Sequence, residues 1–390
     1  MRIFNNLTRW FNRLIYSFTR TKGPKKNVEQ VTKTIKFDNS NPAETTNQEI
    51  QNLLKTIELL KRKNSEQKFL YQVRIKNTIK VEEPLILISQ IQRSGGTLLS
   101  QLFDAHPECH AHPSELYIGH PDKTVWPVLN LNDDKNTWFD ILFESSVVKL
   151  YQKGYKKYSK VVDTDNDIFP FIFLVNLQRE IFNKCVEELG HPKSFRDIFN
   201  CYMTSYFNAW LDNQNLYNTP KKIITGFVPR MNMDEENIRR FFEVYPDGRL
   251  ISMIRDPKDW YTSARAHRED LYGDIEKAIQ LWKTSTNSTI NNKKRYGNLV
   301  YVLRYEDLVQ NTKIVMQSLA EYLNIEFNDI LLIPTFNSFL IKADSSYDVH
   351  NYGIIKDPLG RYKTILNNHE IEFIDSQTLD LYEAIKDYTN

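Results

Sequence analysis

Short runs of apolar residues alternate, along most of the chain, with segments whose apolar positions recur at helical spacing. Strands are predicted for LILIS from Leu85, IITGFV from Ile223, LISMI from Leu250 and LVYVLR from Leu299. Helices are predicted to begin at Thr97 and Trp260, and to cover Glu235–Val244 and Thr312–Leu323. This alternation indicates parallel strands joined by crossover helices, with ligands at the carboxyl ends of the strands. The predicted fold class is therefore α/β, with a central parallel sheet and helices on both faces.

Two regions lie outside this alternating pattern, an N-terminal region and an insert between the first two predicted strands. Residues 23–48 are polar and poor in large apolar side chains, as is typical of a linker. Apolar residues within 50–60 then fall on one helical face. We expect residues 1–80 to form a basic segment, a linker and a helix, and residues 81–390 to form the main domain. Residues 130–218 are predicted to be a mostly helical insert, which covers the acceptor site of that domain.

Amino-acid composition limits the kinds of molecule that the protein is expected to bind. Hydrophobic residues make up 41% of the 390 residues, which is ample for a large core. The formal net charge is only +2, so no nucleic-acid partner is expected. Basic residues nevertheless concentrate in residues 1–28, which contain no acidic residue. This aromatic, basic segment lacks the roughly 18 uninterrupted apolar residues of a membrane span. It is amphipathic, and two interpretations stay open, binding to an anionic membrane surface or a disordered tail.

Cysteine and histidine spacing predicts neither a disulfide framework nor a metal site. The three cysteines are an odd number at no metal-ligand spacing. A reducing compartment follows from this, and hence a cytoplasmic location, with membrane association through the N-terminal segment as an addition. Four histidines crowd one region, at His106, His110, His112 and His120. Because their spacing fits no common zinc pattern, no metal is expected.

The stretch LILISQIQRSGGTLLSQLF reads as a buried strand, a small-residue loop and a helix. That arrangement is P-loop-like, because it directs backbone N–H groups and a helix N-terminus at an anion. A nucleoside triphosphatase would need G-x-x-x-x-G-K-[ST], with a lysine for the terminal phosphates. Here no lysine precedes Thr97, and the first glycine of that motif is missing. We therefore expect nucleotide or other anion binding without magnesium-dependent hydrolysis of ATP.

Two stretches resemble the sulfotransferase family. QRSGGTLLSQLFDAHPE is similar to its 5′-phosphosulfate loop, usually P-R-S-G-T-T-L, and departs from it at Gln92 and Gly96. LISMIRDPKDWYTSARAH resembles its 3′-phosphate element, with Arg255 at the end of a strand and Ser263 eight positions later. An arginine and a serine in these positions could bind one phosphate from two sides.

Later stretches extend the resemblance. VYVLRYEDL is similar to the fourth strand of the family. ADSSYDVHNYGIIKDPLGRYKTIL is similar to the loop near the C-terminus that closes over the cofactor, called the late loop below. Ser345 and Ser346 lie near the start of that loop. Arg361 and Tyr362 lie where relatives often carry a basic residue before a tryptophan. Together the elements span about residues 83–366 in the order of the family.

The resemblance implies transfer of a sulfuryl group from 3′-phosphoadenosine 5′-phosphosulfate (PAPS) to an acceptor oxygen by in-line displacement, leaving 3′,5′-adenosine bisphosphate. Such a reaction needs positioning and charge stabilisation. It also implies that Arg93 stabilises the leaving phosphate and that no metal takes part. The donors beneath the 5′-phosphate would be Ser94, Gly95, Gly96, Thr97 and Leu98.

The remaining expectations concern the general base and the acceptor of the reaction. Glu115 sits where the tyrosyl-protein branch of the family, with its D-A-H-P-x-x-x-C-G-E-E-T-R text, places a catalytic glutamate. Cytosolic relatives use a histidine, so His112 is the alternative base. The favoured acceptor is a hydroxylated glycan, glycolipid or related small molecule. A protein tyrosine is the alternative acceptor, and a catalytically inactive nucleotide-binding or scaffold protein is the alternative function.

Overall fold

The structure is a computed structural model that describes residues 42–118, 125–145, 155–156, 168–169, 171–343, 347 and 352–390. Ser345, Ser346 and residues 1–28 lie outside the described residues. The chain divides into two compact units, residues 1–70 and 71–390. None of the described helices is long and apolar enough to cross a membrane.

The helices of the described residues are labelled here in chain order. They are α1 (Pro42–Lys76), α2 (Gly96–Phe103), α3 (Lys135–Leu142), α4 (Val175–Leu189), α5 (Phe195–Ala209), α6 (Glu235–Val244), α7 (Pro257–His267), α8 (Glu269–Tyr272), α9 (Ile275–Tyr296), α10 (Tyr305–Gln310), α11 (Thr312–Leu323), α12 (Tyr362–Ile365) and α13 (Asn368–Ala384). Short 3₁₀ helices cover Met231–Met233, Gly297–Leu299, Asp329–Leu332 and Ile385–Asp387.

The strands form one central sheet and two small antiparallel pairs. They are β1 (Leu85–Ile88), β2 (Cys109–Glu115), β3 (Tyr155–Lys156), β4 (Ile168–Phe169), β5 (Ile223–Phe227), β6 (Arg249–Ile254), β7 (Val300–Arg304), β8 (Thr335–Phe336) and β9 (Phe339–Leu340). The central sheet has the order β2-β5-β1-β6-β7, and all its neighbouring strands are parallel. The predicted α/β fold with a central parallel sheet is confirmed.

Two hydrophobic cores cover the two faces of the sheet. Along β1, Leu85 and Leu87 belong to one core, whereas Ile86 and Ile88 belong to the other. Successive side chains of a strand point to opposite faces, so unbroken apolar runs are what a sheet covered on both sides requires. The strand β6 alternates in the same way, with Leu250 in the first core and Ile251 in the second. This pattern confirms helices on both faces.

The edge strand β2 was not predicted. Its sequence, CHAHPSE, contains two histidines, a serine and a glutamate, and it has neither an apolar run nor regular alternation. It pairs with β5 alone, as an edge strand does. The buried His112 of this strand contacts Glu144 from another element, and the sequence pattern carries no sign of that contact.

The expected linker also needs a correction. The sequence predicted a linker over residues 23–48, but α1 begins at Pro42. Its first residues, PAETTNQ, are therefore helical although they carry no apolar stripe. A proline is well tolerated in the first turn of a helix, where its missing N–H leaves no bond unmade.

The cysteines correct a second expectation. Cys185 on α4 and Cys201 on α5 form a disulfide, with their Cα atoms 5.5 Å apart. The number and spacing of the cysteines do not predict this pair. Antiparallel packing of two consecutive helices brings residues 16 positions apart into contact, which spacing alone does not reveal. Cys109 is a free, buried thiol whose pKa is raised by burial.

Candidate functional site

The loop after β1 is held in an unusual backbone conformation. Arg93 has φ 66° and Gly95 has φ 95°, both in the left-handed region. A Cβ atom on Gly95 would overlap the ring of Tyr305, and one on Gly96 would overlap the ring of Phe227. Both positions thus require glycine because the neighbouring aromatic rings approach the backbone closely. At Gly95 the positive φ angle requires glycine as well. The loop therefore lies tightly between α10 and the end of β5.

The start of α2 presents unpaired donors. Gly95 is the N-cap residue and supplies no side-chain cap, so the first amide groups of the helix have no partner within it. Ser94 is buried, and its Oγ has no hydrogen-bond partner in the described part of the chain. A buried hydroxyl without a partner is costly. These groups are arranged as a receptor for an anion.

Arg255 follows β6 and is a buried charged group. Its side chain is 5% exposed, and burial lowers the pKa of its guanidinium. One guanidinium nitrogen donates to the Arg93 carbonyl at 2.9 Å and the other to the Pro358 carbonyl at 3.3 Å, while the group lies 4.6 Å from the centre of the Tyr305 ring. Its Nε has no partner, and no described carboxylate forms a salt bridge with it. A buried cation without a carboxylate fits an anionic ligand.

The two predicted anion-binding elements meet. Arg93 Nε donates to Ser263 Oγ at 3.4 Å, although the two residues are 170 positions apart. Ser263 is 7% exposed and lies on α7, which begins directly after Arg255 and Asp256. Because β1 and β6 are adjacent parallel strands, the segments that follow them emerge at the same edge of the sheet.

Asp259 on α7 fixes the late loop. Its carboxylate accepts from the Gly360 amide at 2.6 Å and from the Tyr362 amide at 3.1 Å. Arg361, between them, has its guanidinium 4.1 Å from the centre of the Tyr347 ring. Burial raises the pKa of the Tyr347 hydroxyl, while the charges of Arg361, Arg255 and Arg93 act in the opposite direction. The structure thus brings these three arginines, the arginine cluster, around one site.

A cavity of about 400 Å³ opens beside the arginine cluster. This volume lies in the usual range of small-molecule sites, about 300–1,000 Å³. Several predicted site residues line it: Arg93, Gly95, Gly96, Thr97, Leu98, Glu115 and Arg255. Apolar side chains supply much of the remaining wall, among them Phe227, Tyr305, Ile354 and Pro358.

The two candidate bases occupy different positions. Glu115, the last residue of β2, is partly exposed and lines the cavity. The ring of His112 is buried, with Nδ1 2.9 Å from the Ser114 carbonyl and Nε2 3.1 Å from a Glu144 carboxylate oxygen. Both ring nitrogens of His112 are thus engaged by protein oxygen atoms, and His112 does not line the cavity. A weaker contact of the Ser114 amide with Nδ1, at 3.5 Å, is too long to compete.

Several site residues escaped the sequence analysis. Tyr305 contacts Arg255, Asp259 holds the late loop, and His267 at the end of α7 lines the cavity. His267 could have been found, because it lies four positions after Ser263 and so on the same helical face. Glu144 gave no such signal, since its partner His112 is 32 positions away in an unpredicted strand.

Comparison with known proteins identifies the class. A profile of the sulfotransferase family matches residues 84–329, more than half of the chain. The chain therefore belongs to the sulfotransferase family and is a sulfotransferase enzyme. A search of curated protein sequences found no match.

Solved structures with similarity to the chain include three sulfotransferases. The sulfotransferase domain of the curacin biosynthetic pathway is 18% identical, with a TM-score of 0.45, covering 77% of this chain and 98% of that one. The sulfotransferase domain of the Synechococcus PCC 7002 olefin synthase is 17% identical, with a TM-score of 0.46, covering 77% of this chain and 96% of that one. A mouse sulfotransferase complexed with PAP is 12% identical, with a TM-score of 0.35, covering 82% and 94%. The family assignment rests on the match of residues 84–329.

Proposed function

We propose that this sulfotransferase uses PAPS as donor and moves its sulfuryl group to an acceptor hydroxyl by in-line displacement. The observation that carries the proposal is Arg255, a buried guanidinium that forms no salt bridge with any carboxylate of the described residues, beside the contact of Arg93 with Ser263. A donor with phosphates at two positions needs two anion sites a short distance apart. Ser94 Oγ, buried and unpartnered, and the free amides of α2 support a second such site.

Each residue receives a role in this proposal. Arg255 and Ser263 bind the 3′-phosphate, and Arg93 stabilises the charge that moves to the leaving 5′-phosphate. The residues beneath the 5′-phosphate are Ser94, Gly95, Gly96, Thr97 and Leu98. Arg361 and Tyr362 close the site from the late loop, whose Asp259 anchor supports that placement. Ser345 and Ser346 keep the donor-binding role that the resemblance implies. The proposed reaction requires no metal.

We assign the general base to Glu115. Its carboxylate is at the cavity, whereas both nitrogens of His112 are engaged and its ring is buried. A base must reach the proton that it removes, directly or through one water. His267 also lines the cavity and is the alternative that the structure supports. The proposed acceptor is a hydroxylated glycan, glycolipid or related small molecule, with a protein tyrosine as the second candidate.

Donor binding is tested by thermal unfolding. We expect 3′,5′-adenosine bisphosphate to raise the melting temperature, because a ligand at 100 times its Kd stabilises the folded state by about 2.7 kcal/mol. ATP with magnesium should stabilise much less. Arg255→Lys should weaken binding of the bisphosphate at least tenfold, because lysine cannot reproduce the guanidinium fork.

The matched control for this test is Arg249→Lys at the other end of β6. Its guanidinium donates to the carbonyls of Asp247 and Gly248, so the bisphosphate affinity should not change. Equal stabilisation by the two nucleotides would contradict the donor assignment. An unchanged affinity in Arg255→Lys would also contradict it.

Transfer itself is tested with labelled donor and a panel of glycans, lipids and tyrosine peptides. Arg93→Ala should abolish labelling of the acceptor with the fold intact. Glu115→Gln should lower kcat by about 10²–10⁴-fold, the usual contribution of a general base, with little change in bisphosphate affinity. If Glu115→Gln is fully active and His267→Asn is not, the base is His267. A chain that binds the bisphosphate but labels no acceptor would favour the inactive nucleotide-binding protein.

The location of the protein is a separate proposal. The cysteine count predicted a cytoplasmic protein, and the basic residues of 1–28 left binding to an anionic membrane surface open beside a disordered tail. The Cys185–Cys201 disulfide counts against a reducing compartment, because such bonds persist mainly in oxidising ones. Alkylation of free thiols in intact cells, followed by mass spectrometry, distinguishes the two compartments. A paired Cys185 would exclude the cytoplasmic proposal.

A further inference from the structure

The strand that carries Glu115 is interrupted just before it. β2 pairs regularly with β5 from Cys109 to Ala111, which is opposite Thr225, and pairs again only at Glu115, which is opposite Phe227. Four steps along β2 thus match two steps along β5, so β2 contains two extra residues. Such a bulge re-aims the side chains beyond it and takes the backbone out of the ladder. The orientation of Glu115 therefore depends on what holds the bulge.

The ring of His112 holds the bulge from within. Its Nδ1 lies 2.9 Å from the Ser114 carbonyl oxygen and closes the turn, while its Nε2 lies 3.1 Å from a Glu144 carboxylate oxygen. The ring also stacks on Tyr206, with the ring centres 4.8 Å apart. His112 is 3% exposed and Glu144 1% exposed. Both ring nitrogens thus contact protein oxygen atoms, and the contact between His112 and Glu144 is buried.

Glu144 comes from a different element, the segment that follows α3. Besides His112, its carboxylate accepts from the Tyr117 amide at 3.0 Å and from the Tyr202 hydroxyl at 3.2 Å. The Tyr202 oxygen in turn accepts from the Glu144 amide at 3.2 Å. Burial, reinforced by the Glu144 charge, raises the pKa of Tyr202 well above its usual value, so its hydroxyl remains a donor.

The bonds of Glu144 therefore fall on both sides of Glu115. One reaches His112 three positions before it, and the other reaches the amide of Tyr117 two positions after it. Removing the carboxylate would take a hydrogen-bond partner from the buried His112 ring and from the Tyr117 amide at once. We propose that Glu144 is a positioning residue for sulfuryl transfer, which holds Glu115 toward the cavity by clamping the chain on either side. This inference rests on the proposed function.

The test compares Glu144→Gln with Asp104→Asn. Asp104 is also a buried carboxylate with three hydrogen bonds, to Thr335 Oγ1, the Asn337 amide and the Ser338 amide, and it does not line the cavity of the arginine cluster. We expect both variants to lower the melting temperature. Only Glu144→Gln should lower kcat, by about 10–100-fold, since a displacement near 1 Å can cost 10²-fold. Bisphosphate affinity should stay within about twofold of wild type, because no donor-site residue changes.

A double-mutant cycle shows whether Glu144 acts through Glu115. If it does, Glu144→Gln should lower kcat in the wild-type background but add nothing in a Glu115→Gln background. Additive losses would overturn the inference, as would equal losses of kcat in Glu144→Gln and Asp104→Asn. If Glu144→Gln does not fold, Tyr202→Phe removes only one hydroxyl, and a loss of about fivefold that vanishes in the Glu115→Gln background is expected.

The proposed function and the inference fail differently. Wild-type enzyme that labels no acceptor contradicts the proposed reaction and this inference with it. Active wild-type enzyme with fully active Glu144→Gln contradicts only the positioning role.

Discussion

Burial lowers the pKa of two basic side chains of this enzyme, Arg255 and His110, but only one of them loses its charge at pH 7. Arg255 remains charged, since a guanidinium keeps its proton at any physiological pH even when burial lowers its pKa. His110 on β2 is also buried, and burial lowers its pKa to about 3, so its ring is neutral at pH 7. Its Nε2 has no hydrogen-bond partner among the described residues, and the nearest carboxylate, of Glu83, is 3.9 Å away. The charged group lies at the cavity and the neutral one does not.

The buried neutral His110 predicts a loss of stability in acid. Between pH 6.5 and about 3 the unfolded chain binds a proton at this residue and the folded chain does not. The free energy of unfolding should therefore decrease as the pH is lowered from 6.5 toward 3. This group contributes up to about 1.4 kcal/mol per pH unit to the decrease. In His110→Leu this contribution disappears, so the curve should be flatter. Urea unfolding of both proteins at pH 7, 6, 5 and 4 measures the two slopes, and parallel curves would contradict the assignment.

At the scale of elements, the loop between β1 and α2 owes its shape to its neighbours. Gly95 contacts Tyr305 at the start of α10, and Gly96 contacts Phe227 at the end of β5. The loop can lie this close only because neither residue has a Cβ atom. The anion site is therefore formed jointly by three segments, and a change at the glycines should alter binding as well as stability.

Gly95→Ala and Gly190→Ala form a matched pair that separates these effects. Both glycines have positive φ, 95° and 73°, but a Cβ on Gly190 would meet nothing within 4 Å. Gly190→Ala should cost about 1–3 kcal/mol from backbone strain and leave bisphosphate affinity unchanged. Gly95→Ala should cost more, because of the overlap with Tyr305, and weaken binding at least tenfold. Denaturant unfolding and calorimetry measure both quantities, and equal behaviour of the two variants would contradict this account of the loop.

For the whole molecule, strand order determines which loops share the site. β1 lies between β5 and β6, so the residues that follow all three strands reach one edge of the sheet. The long connection from β2 to β5 contains α3, α4 and α5, and the segment after α3 supplies Glu144 to the bulge of β2. This connection is thus joined to the bulge of β2 by the buried contact of Glu144 with His112.

The N-terminal segment carries a prediction for the whole chain. Residues 1–28 contain seven basic residues and no acidic one, and each basic residue near an anionic surface contributes about 1 kcal/mol. Deleting these residues should weaken binding to vesicles that contain phosphatidylserine, while bisphosphate affinity stays the same. Vesicles of phosphatidylcholine alone are the control and should bind both forms weakly. Unchanged sedimentation of the truncated protein with anionic vesicles would exclude the membrane role.

The sequence predicted the elements that depend on short-range pattern. β1, β5, β6 and β7 were all expected at their observed places, because a strand buried on both faces leaves a continuous apolar run. β2 was missed because its bulge breaks the alternation. The disulfide between Cys185 and Cys201 was missed because spacing along the chain does not reveal distance in space.

The sequence by itself determined the fold class, the loop that follows β1 and the candidate anion-binding residues, since these follow from local periodicity and from residue type. Only the tertiary structure decided which of them meet: Arg93 with Ser263, and Arg361 with Tyr347. It also decided that His112 faces Glu144 while Glu115 faces the cavity. The physical reason is that burial and pairing depend on distances between segments far apart in the chain, and those distances arise only when the sheet and its covering helices pack.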